Sequence, residues 1–200
     1  SAFVMDAALS DDGRTLATIT VGQDSGAFAT GLELYAMNYA SGGYQADVSC
    51  SLGGGVALDV KHTSSAVWTL SDRGLTVTGH DGETVRADWS DKYLRRYTLD
   101  GDGFAAALLG KYRAGSQAEL WVVDADGEQQ ILELNEQVLS ISAAGRYLAV
   151  LTGDRLDIYT DELELYSSLK GTQGARVVLL MPDGSAILIS ADSAGFYVPY

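Results

Sequence analysis

A run of apolar residues, a tight turn built on a small or acidic residue and glycine, and a second apolar run recur five times along this chain. That repetition limits the fold more than any single segment does. The clearest copy reads Val138-Leu139-Ser140-Ile141-Ser142, then Ala143-Ala144-Gly145, then Tyr147-Leu148-Ala149-Val150-Leu151. Arg155-Leu156-Asp157-Ile158-Tyr159 and Leu163-Glu164-Leu165-Tyr166 follow, each alternating apolar with polar residues, the period of a strand with one buried face. The repeating unit is therefore expected to be four strands joined by turns.

The first copy comprises residues 3–9, the turn Ser10-Asp11-Asp12-Gly13, residues 16–21 and 32–37, and an outer strand near 46–52. The small and polar residues 22–31 between its second and third strands are expected to form a surface loop. The second copy runs through 56–60, 66–70, 75–78 and 84–89, with His62-Thr63-Ser64-Ser65 where the others place Gly. The third has 94–99, the turn Asp100-Gly101-Asp102-Gly103, then 104–109, 118–123 and 130–134. In the fifth, 176–181, Pro182-Asp183-Gly184, 186–190 and 195–200 supply three strands and no fourth.

The turn positions Gly13, Ser65, Gly103, Gly145 and Gly184 are 38 to 52 residues apart. Propeller blades repeat every ~40 to 50 residues. A four-strand meander cannot bury both its faces alone, and radial stacking solves this while leaving only short edges. A β-sandwich explains short strands but no repeated strand order at this period. The expected fold is all-β, a β-propeller of four-stranded antiparallel blades with bounds near 3–53, 56–91, 94–135, 137–172 and 175–200. Because the fifth unit lacks its outer strand, the chain is expected to be either a single propeller closed by a strand from upstream or the C-terminal part of a larger one.

Ser10-Asp11-Asp12-Gly13-Arg14-Thr15-Leu16-Ala17 and Met181-Pro182-Asp183-Gly184-Ser185-Ala186 resemble the "S-P-D-G-x-x-L-A" blade turn of bacterial WD40-like and YVTN-like propellers. The Gly-His and Trp-Asp dipeptides of WD40 blades are absent at their usual places. The texture of the chain is also similar to a propeller family of Firmicutes with an N-terminal membrane anchor. That resemblance implies an extracytoplasmic module tethered from upstream.

Charge narrows the partners. Thirteen Lys and Arg against 27 Asp and Glu leave a formal charge of -14, which repels phosphate backbones, so nucleic acid is not expected as a partner. The apolar runs fall well short of the ~20 residues that cross a bilayer, so this segment itself is not expected to contact membrane. Cys50 is the one cysteine, which excludes an internal disulfide and any multi-cysteine metal site. Beside Val48 and Leu52 it is expected to be a small core residue.

No catalytic, cofactor-binding or metal-binding constellation emerges, and no cofactor is expected. Asp100-Gly101-Asp102-Gly103 and Asp124-Ala125-Asp126-Gly127-Glu128 alternate carboxylates as calcium loops do. Position twelve is Lys111 in one and Asn135 in the other, and both segments fall where the repeat demands a hairpin turn. Gln23-Asp24-Ser25-Gly26 lacks the supporting base of a serine nucleophile. His62 and His80 fall at separate turns and are expected to be solvent-exposed loop residues. Gly53-Gly54-Gly55 lacks the Lys and helix of a phosphate loop and is expected to connect blades. The three Trp and most Tyr are expected in packing between blades. Lys61, Arg95 and Arg96 are positive charges in or beside inner strands of an acidic protein. They are the candidate channel or partner-face residues, with local charge pairing as the competing explanation.

These features point to a non-catalytic interaction module that binds a protein or a surface polymer through one face. Two other functions fit the same residues: a propeller enzyme or carbohydrate-binding domain with acidic residues near the axis, and a structural spacer in a membrane-anchored protein. Two carboxylates converging in a pocket favour the enzyme.

Overall fold

The computed structural model describes residues 2–24, 26–37, 45–53 and 55–199. Among the described residues there is no helix; the chain forms five antiparallel sheets in which each strand pairs with its neighbour in sequence. The first sheet is β1 (Phe3–Leu9), β2 (Thr15–Asp24), β3 (Ala27–Ala36) and β4 (Val48–Gly53). The second is β5 (Ala57–His62), β6 (Ala66–Ser71), β7 (Gly74–Gly79) and β8 (Thr84–Asp88). The third is β9 (Tyr93–Thr98), β10 (Phe104–Gly110), β11 (Ala118–Asp124) and β12 (Gln129–Leu134). The fourth is β13 (Ser140–Ala144), β14 (Tyr147–Leu151), β15 (Arg155–Thr160) and β16 (Leu165–Lys170). The fifth has three strands, β17 (Val177–Leu180), β18 (Ala186–Ile189) and β19 (Ala194–Tyr197).

The chain divides into two compact units, residues 1–90 with 125–127, and residues 91–124 with 128–200. In the first unit, the β1–β2 turn shows how Ser10-Asp11-Asp12-Gly13 closes the hairpin at this place in the repeat. Ser10 Oγ donates to Asp12 Oδ1 at 2.8 Å and accepts from the Thr15 N–H at 2.9 Å, while the Arg14 N–H donates to Asp12 Oδ1 at 3.0 Å. These donors hold the Asp12 carboxyl below its ordinary pKa, the Ser10 hydroxyl most strongly. Gly13 sits at φ +69°, a conformation that costs other residues ~1–2 kcal/mol. The β5–β6 turn closes without glycine because Thr63 Oγ1 donates to the Ala66 carbonyl at 2.9 Å, and the Thr63 N–H bonds the same carbonyl.

Ala17, Ile19, Leu32, Leu34 and Leu52 of the first sheet pack on Ala57, Val60 and Val67 of the second and form the core of this unit. Residues 22–24 and 27–31, expected in a loop, belong to strands. β2 and β3 stay paired out to Gln23↔Phe28 and Asp24↔Ala27, and the strand-compatible side chains of Phe28, Ala29 and Thr30 sustain the ladder. Cys50 lies half-buried, its Sγ 3.6 Å from the Gly82 carbonyl, at the rim of the core and not within it.

In the second unit the fourth sheet has two apolar faces and both are covered. Ile141, Ala143, Leu148 and Val150 pack against Phe104, Ala106, Leu108, Leu120 and Val122 of the third sheet. Ala149, Leu151, Leu156 and Ile158 pack against Val178, Leu180 and Ala186 of the fifth. The sheets are also joined by polar bonds: the N–H groups of Val178 and Leu180 on β17 donate to Ser140 Oγ and Ser142 Oγ on β13, at 3.3 and 3.1 Å.

The strand expected at residues 163–166 begins later, at Leu165, because Leu163 closes a tight turn at φ +58°, its N–H bonded to the Thr160 carbonyl. Three first strands carry a β-bulge. Met5 on β1, Leu58 on β5 and Arg95 on β9 each have no partner across the ladder, so each leaves the in–out alternation of its strand.

Candidate interaction surface

Five of the thirteen Lys and Arg lie between positions 92 and 113, where the only carboxylates are Asp100 and Asp102. The structure places them on β9, just before it, and in the loop of residues 111–117 between β10 and β11. Every residue of that loop is exposed, although the strands on either side are buried. The bulge at Arg95 aims its guanidinium at the loop. Nε and Nη2 donate to the Tyr112 carbonyl at 3.0 and 2.7 Å, and Nη1 donates to the Gly115 carbonyl at 2.9 Å. Gly110 makes room for this arrangement, since a Cβ there would collide with the Arg95 guanidinium.

Braced this way, the loop displays Lys111, Tyr112 and Arg113. Arg113 lies over the Tyr93 ring at 5.4 Å and Lys111 over the Tyr112 ring at 5.9 Å. Tyr93 is 46% and Tyr112 64% exposed, so both rings keep free area for a partner. Lys92 is already occupied: its Nζ is 3.3 Å from Glu119 Oε2 and 4.8 Å from the Trp121 ring centroid. Among the described residues, Arg96, Lys111 and Arg113 have no carboxylate within ion-pair distance.

Of the residues singled out in the sequence, Arg95 braces the loop. Arg96 donates from Nη1 to the Arg95 carbonyl at 3.0 Å and from Nε to the Leu139 carbonyl at 3.4 Å. Lys61 belongs to the first unit, half-buried on β5 opposite Trp68. Sequence reasoning passed over Lys111, Tyr112 and Arg113. The available signal is a Lys-Tyr-Arg triplet in the break between the apolar run 104–109 and the largely apolar run 118–123.

Acidic residues meet in two clefts of the second unit. Glu119 and Glu133, directly opposite on β11 and β12, line a cleft of about 270 Å³ with Lys111 and Gln117. Glu119 Oε2 already accepts from the Trp121 Nε1–H at 2.8 Å besides facing Lys92. A second cleft of about 260 Å³ holds Glu136, Arg155, Asp157 and Tyr159. There the Asp157 carboxylate accepts from Arg155 Nε at 2.7 Å and Ser168 Oγ at 2.6 Å, and Arg155 Nη2 reaches Glu136 Oε1 at 3.0 Å. Burial raises the Tyr159 phenol pKa, with the Asp157 charge adding to it. Each carboxylate in this network is neutralised by a partner in place, an arrangement that holds structure and leaves none free as a base.

The two histidines of the first unit come together. His62 is buried, with 3% of its surface accessible, contrary to the expectation of an exposed loop residue. It ends β5 with its ring edge-on to His80, which is exposed and shares a bond with the Ser64 carbonyl at 3.1 Å. Burial and the neighbouring His80 hold the His62 pKa below its ordinary value, partly offset by Asp11 and Asp12. Among the described residues no three His, Cys, Asp or Glu are grouped as a metal site. Ser25, of the segment weighed as a nucleophile, and Gly54 lie outside the described residues.

The chain is similar in fold, over nearly its whole length, to several solved structures. It matches a chain in the S. cerevisiae complex of Dbp5 with Nup159 and Gle1 at TM-score 0.57 and 12% identity, over 96% of this chain and 55% of that one. It matches Kluyveromyces lactis Hsv2 at 0.55 and 12% identity, over 95% and 72%. It matches the Neurospora crassa Pan2 WD40 domain at 0.50 and 12% identity, over 98% and 60%. The fold is a β-propeller. Its blades are four-stranded and antiparallel, and the last has three strands. The chain spans 55 to 72% of the length of these three propellers, and at such identity the likeness is one of fold. No family model and no curated protein matches the sequence.

Proposed function

We propose that this propeller is a non-catalytic interaction module whose partner surface is the basic and aromatic patch of the third blade, and that the partner is an acidic segment of a protein. The observation that carries this reading is the braced loop of residues 111–117: a protein of net charge -14 holds there and on β9 three cations that have no carboxylate partner among the described residues, beside two exposed tyrosines. Local charge complementarity of this kind steers encounter, and exposed Tyr and Arg supply contact area. Protein binding is consistent with the S. cerevisiae assembly, in which Dbp5 is bound to Nup159 and Gle1. Glu119, engaged by Lys92 and Trp121, and Asp157 and Glu136, engaged by Arg155 and Ser168, are not free to act as bases, which speaks against the enzyme alternative. A tether from upstream in an extracytoplasmic setting, as in the Firmicutes family that the sequence resembles, belongs to the same proposal.

The test is fluorescence anisotropy with a labelled twelve-residue Asp/Glu-rich peptide and a Lys-rich control of equal length. Saturable binding of the acidic peptide that weakens with salt is expected, together with about a tenfold loss in Lys111→Ala/Arg113→Ala at an unchanged melting temperature. Equal binding of both peptides, no binding, or indifference to the double variant removes the proposal.

A further inference from the structure

The fifth blade is apolar on both faces, and only one of them is covered. Val178, Leu180, Ala186, Leu188 and Tyr197 share the face that packs on the fourth blade. The ladder puts Val177, Ile189 and Ala194 in one row of the opposite face, and Leu179, Ile187 and Phe196 in the next. That face is open: Val177 is 41%, Leu179 46% and Phe196 66% exposed, and Val198 beyond the strand is 53% exposed. A contiguous apolar patch of this composition marks an interface. The two edges differ in the same sense. On β17 the N–H groups of Val178 and Leu180 are held by serine hydroxyls, whereas among the described residues no strand lies beside β19. An open edge with no charged residue between Ser193 and Tyr197 is a site for strand addition.

We infer that this face and the β19 edge form an internal interface of a larger propeller, occupied by additional β-sheet from the same polypeptide. Three observations select this occupant. The fourth blade, also apolar on both faces, is covered on each by a sheet. The propellers that the chain matches are longer than it is, with 55, 72 and 60% of their lengths covered. A second copy would bring together two bodies of charge -14, a repulsion that an interface within one polypeptide avoids.

The experiment compares this chain of 200 residues with the protein extended through the whole reading frame of its gene. Both are followed by hydrogen exchange over the peptide spanning residues 186–199, by binding of the dye ANS, and by sedimentation. In the shorter chain the β19 amides should exchange fast and the dye should bind, with Leu179→Asp/Phe196→Asp abolishing dye binding. In the extended protein the same amides should exchange at least about tenfold more slowly, with dye binding lost and the protein still monomeric. The exchange comparison needs no variant and stands if the double substitution disturbs folding. Three results overturn the inference: equal exchange and dye binding in the two proteins, protection that rises with concentration alongside a dimer, or a reading frame with no further strand-forming sequence.

Discussion

The ring of His62 meets that of His80 edge to face, centroids 5.6 Å apart and planes at 89°, although each comes from a different turn of the second blade. Neither nitrogen of His62 has a hydrogen-bond partner among the described residues, and the ring is packed away from water. Its protonation is thus opposed by burial and by His80, while Asp11 and Asp12 favour it less strongly. With the folded pKa below the unfolded value of ~6.5, the unfolded chain takes up the proton first. Stability is therefore full above that value and falls as pH drops through it toward the folded pKa. Melting curves between pH 7.5 and 5 should show this loss, and His62→Phe should flatten the part of the slope that His62 contributes. An unchanged slope in that variant assigns the acid sensitivity to other groups.

Arg95→Ala removes three charge-assisted bonds to the Tyr112 and Gly115 carbonyls and should free the loop of residues 111–117. Because Arg95 is only half-buried, the expected cost is about 1–2 kcal/mol, or roughly 2–8 °C in melting temperature. Limited trypsin digestion should then cut after Lys111 or Arg113 faster than in the parent. Gly110→Ala should reproduce the effect from the other side, by displacing the guanidinium.

Ser140→Ala and Ser142→Ala each leave a β17 amide without its acceptor. A cost of about 1 kcal/mol apiece is expected from chemical denaturation, with faster amide exchange concentrated at residues 177–180 and not spread through the fourth blade.

Asp157→Ala strips Arg155 of its closest partner and Ser168 of its acceptor in a site where the Asp157 side chain is 8% exposed. Arg155 keeps Glu136 and is about a third exposed, so a cost of about 2 kcal/mol is expected, below the loss seen when a fully buried pair is broken. Asp157→Asn, which keeps the shape and one acceptor, should fall between the two proteins. Denaturant midpoints measured side by side decide the order.

The blade repeat was legible because its cause is local. Asp-Gly and Ala-Gly turns need positive φ, and two-residue alternation reports a half-buried strand whatever the tertiary setting. Gly22, Gly26 and Gly31 give the stretch of residues 22–31 the composition of a loop, yet pairing between β2 and β3 overrides it. A turn residue usually faces solvent, so the sequence points His62 outward; its burial, with its ring against that of His80 from the β7–β8 turn, is a tertiary arrangement that a single turn cannot reveal. Arg95 and Arg96 were visible as charges on an inner strand. The hydrogen bonds that turn Arg95 toward its loop depend on a bulge, and a one-residue slip in pairing leaves no mark in composition.

That bulge has a consequence for how such a blade can change. At Met5, Leu58 and Arg95 the chain holds one residue released from the alternation that the core imposes on its neighbours, and the three occupants differ in size, polarity and charge. A position of this kind is open to substitution without repacking, so new specificity can arise there while the interior stays as it is. In the third blade the slot has been filled by an arginine, and a loop has acquired a fixed shape.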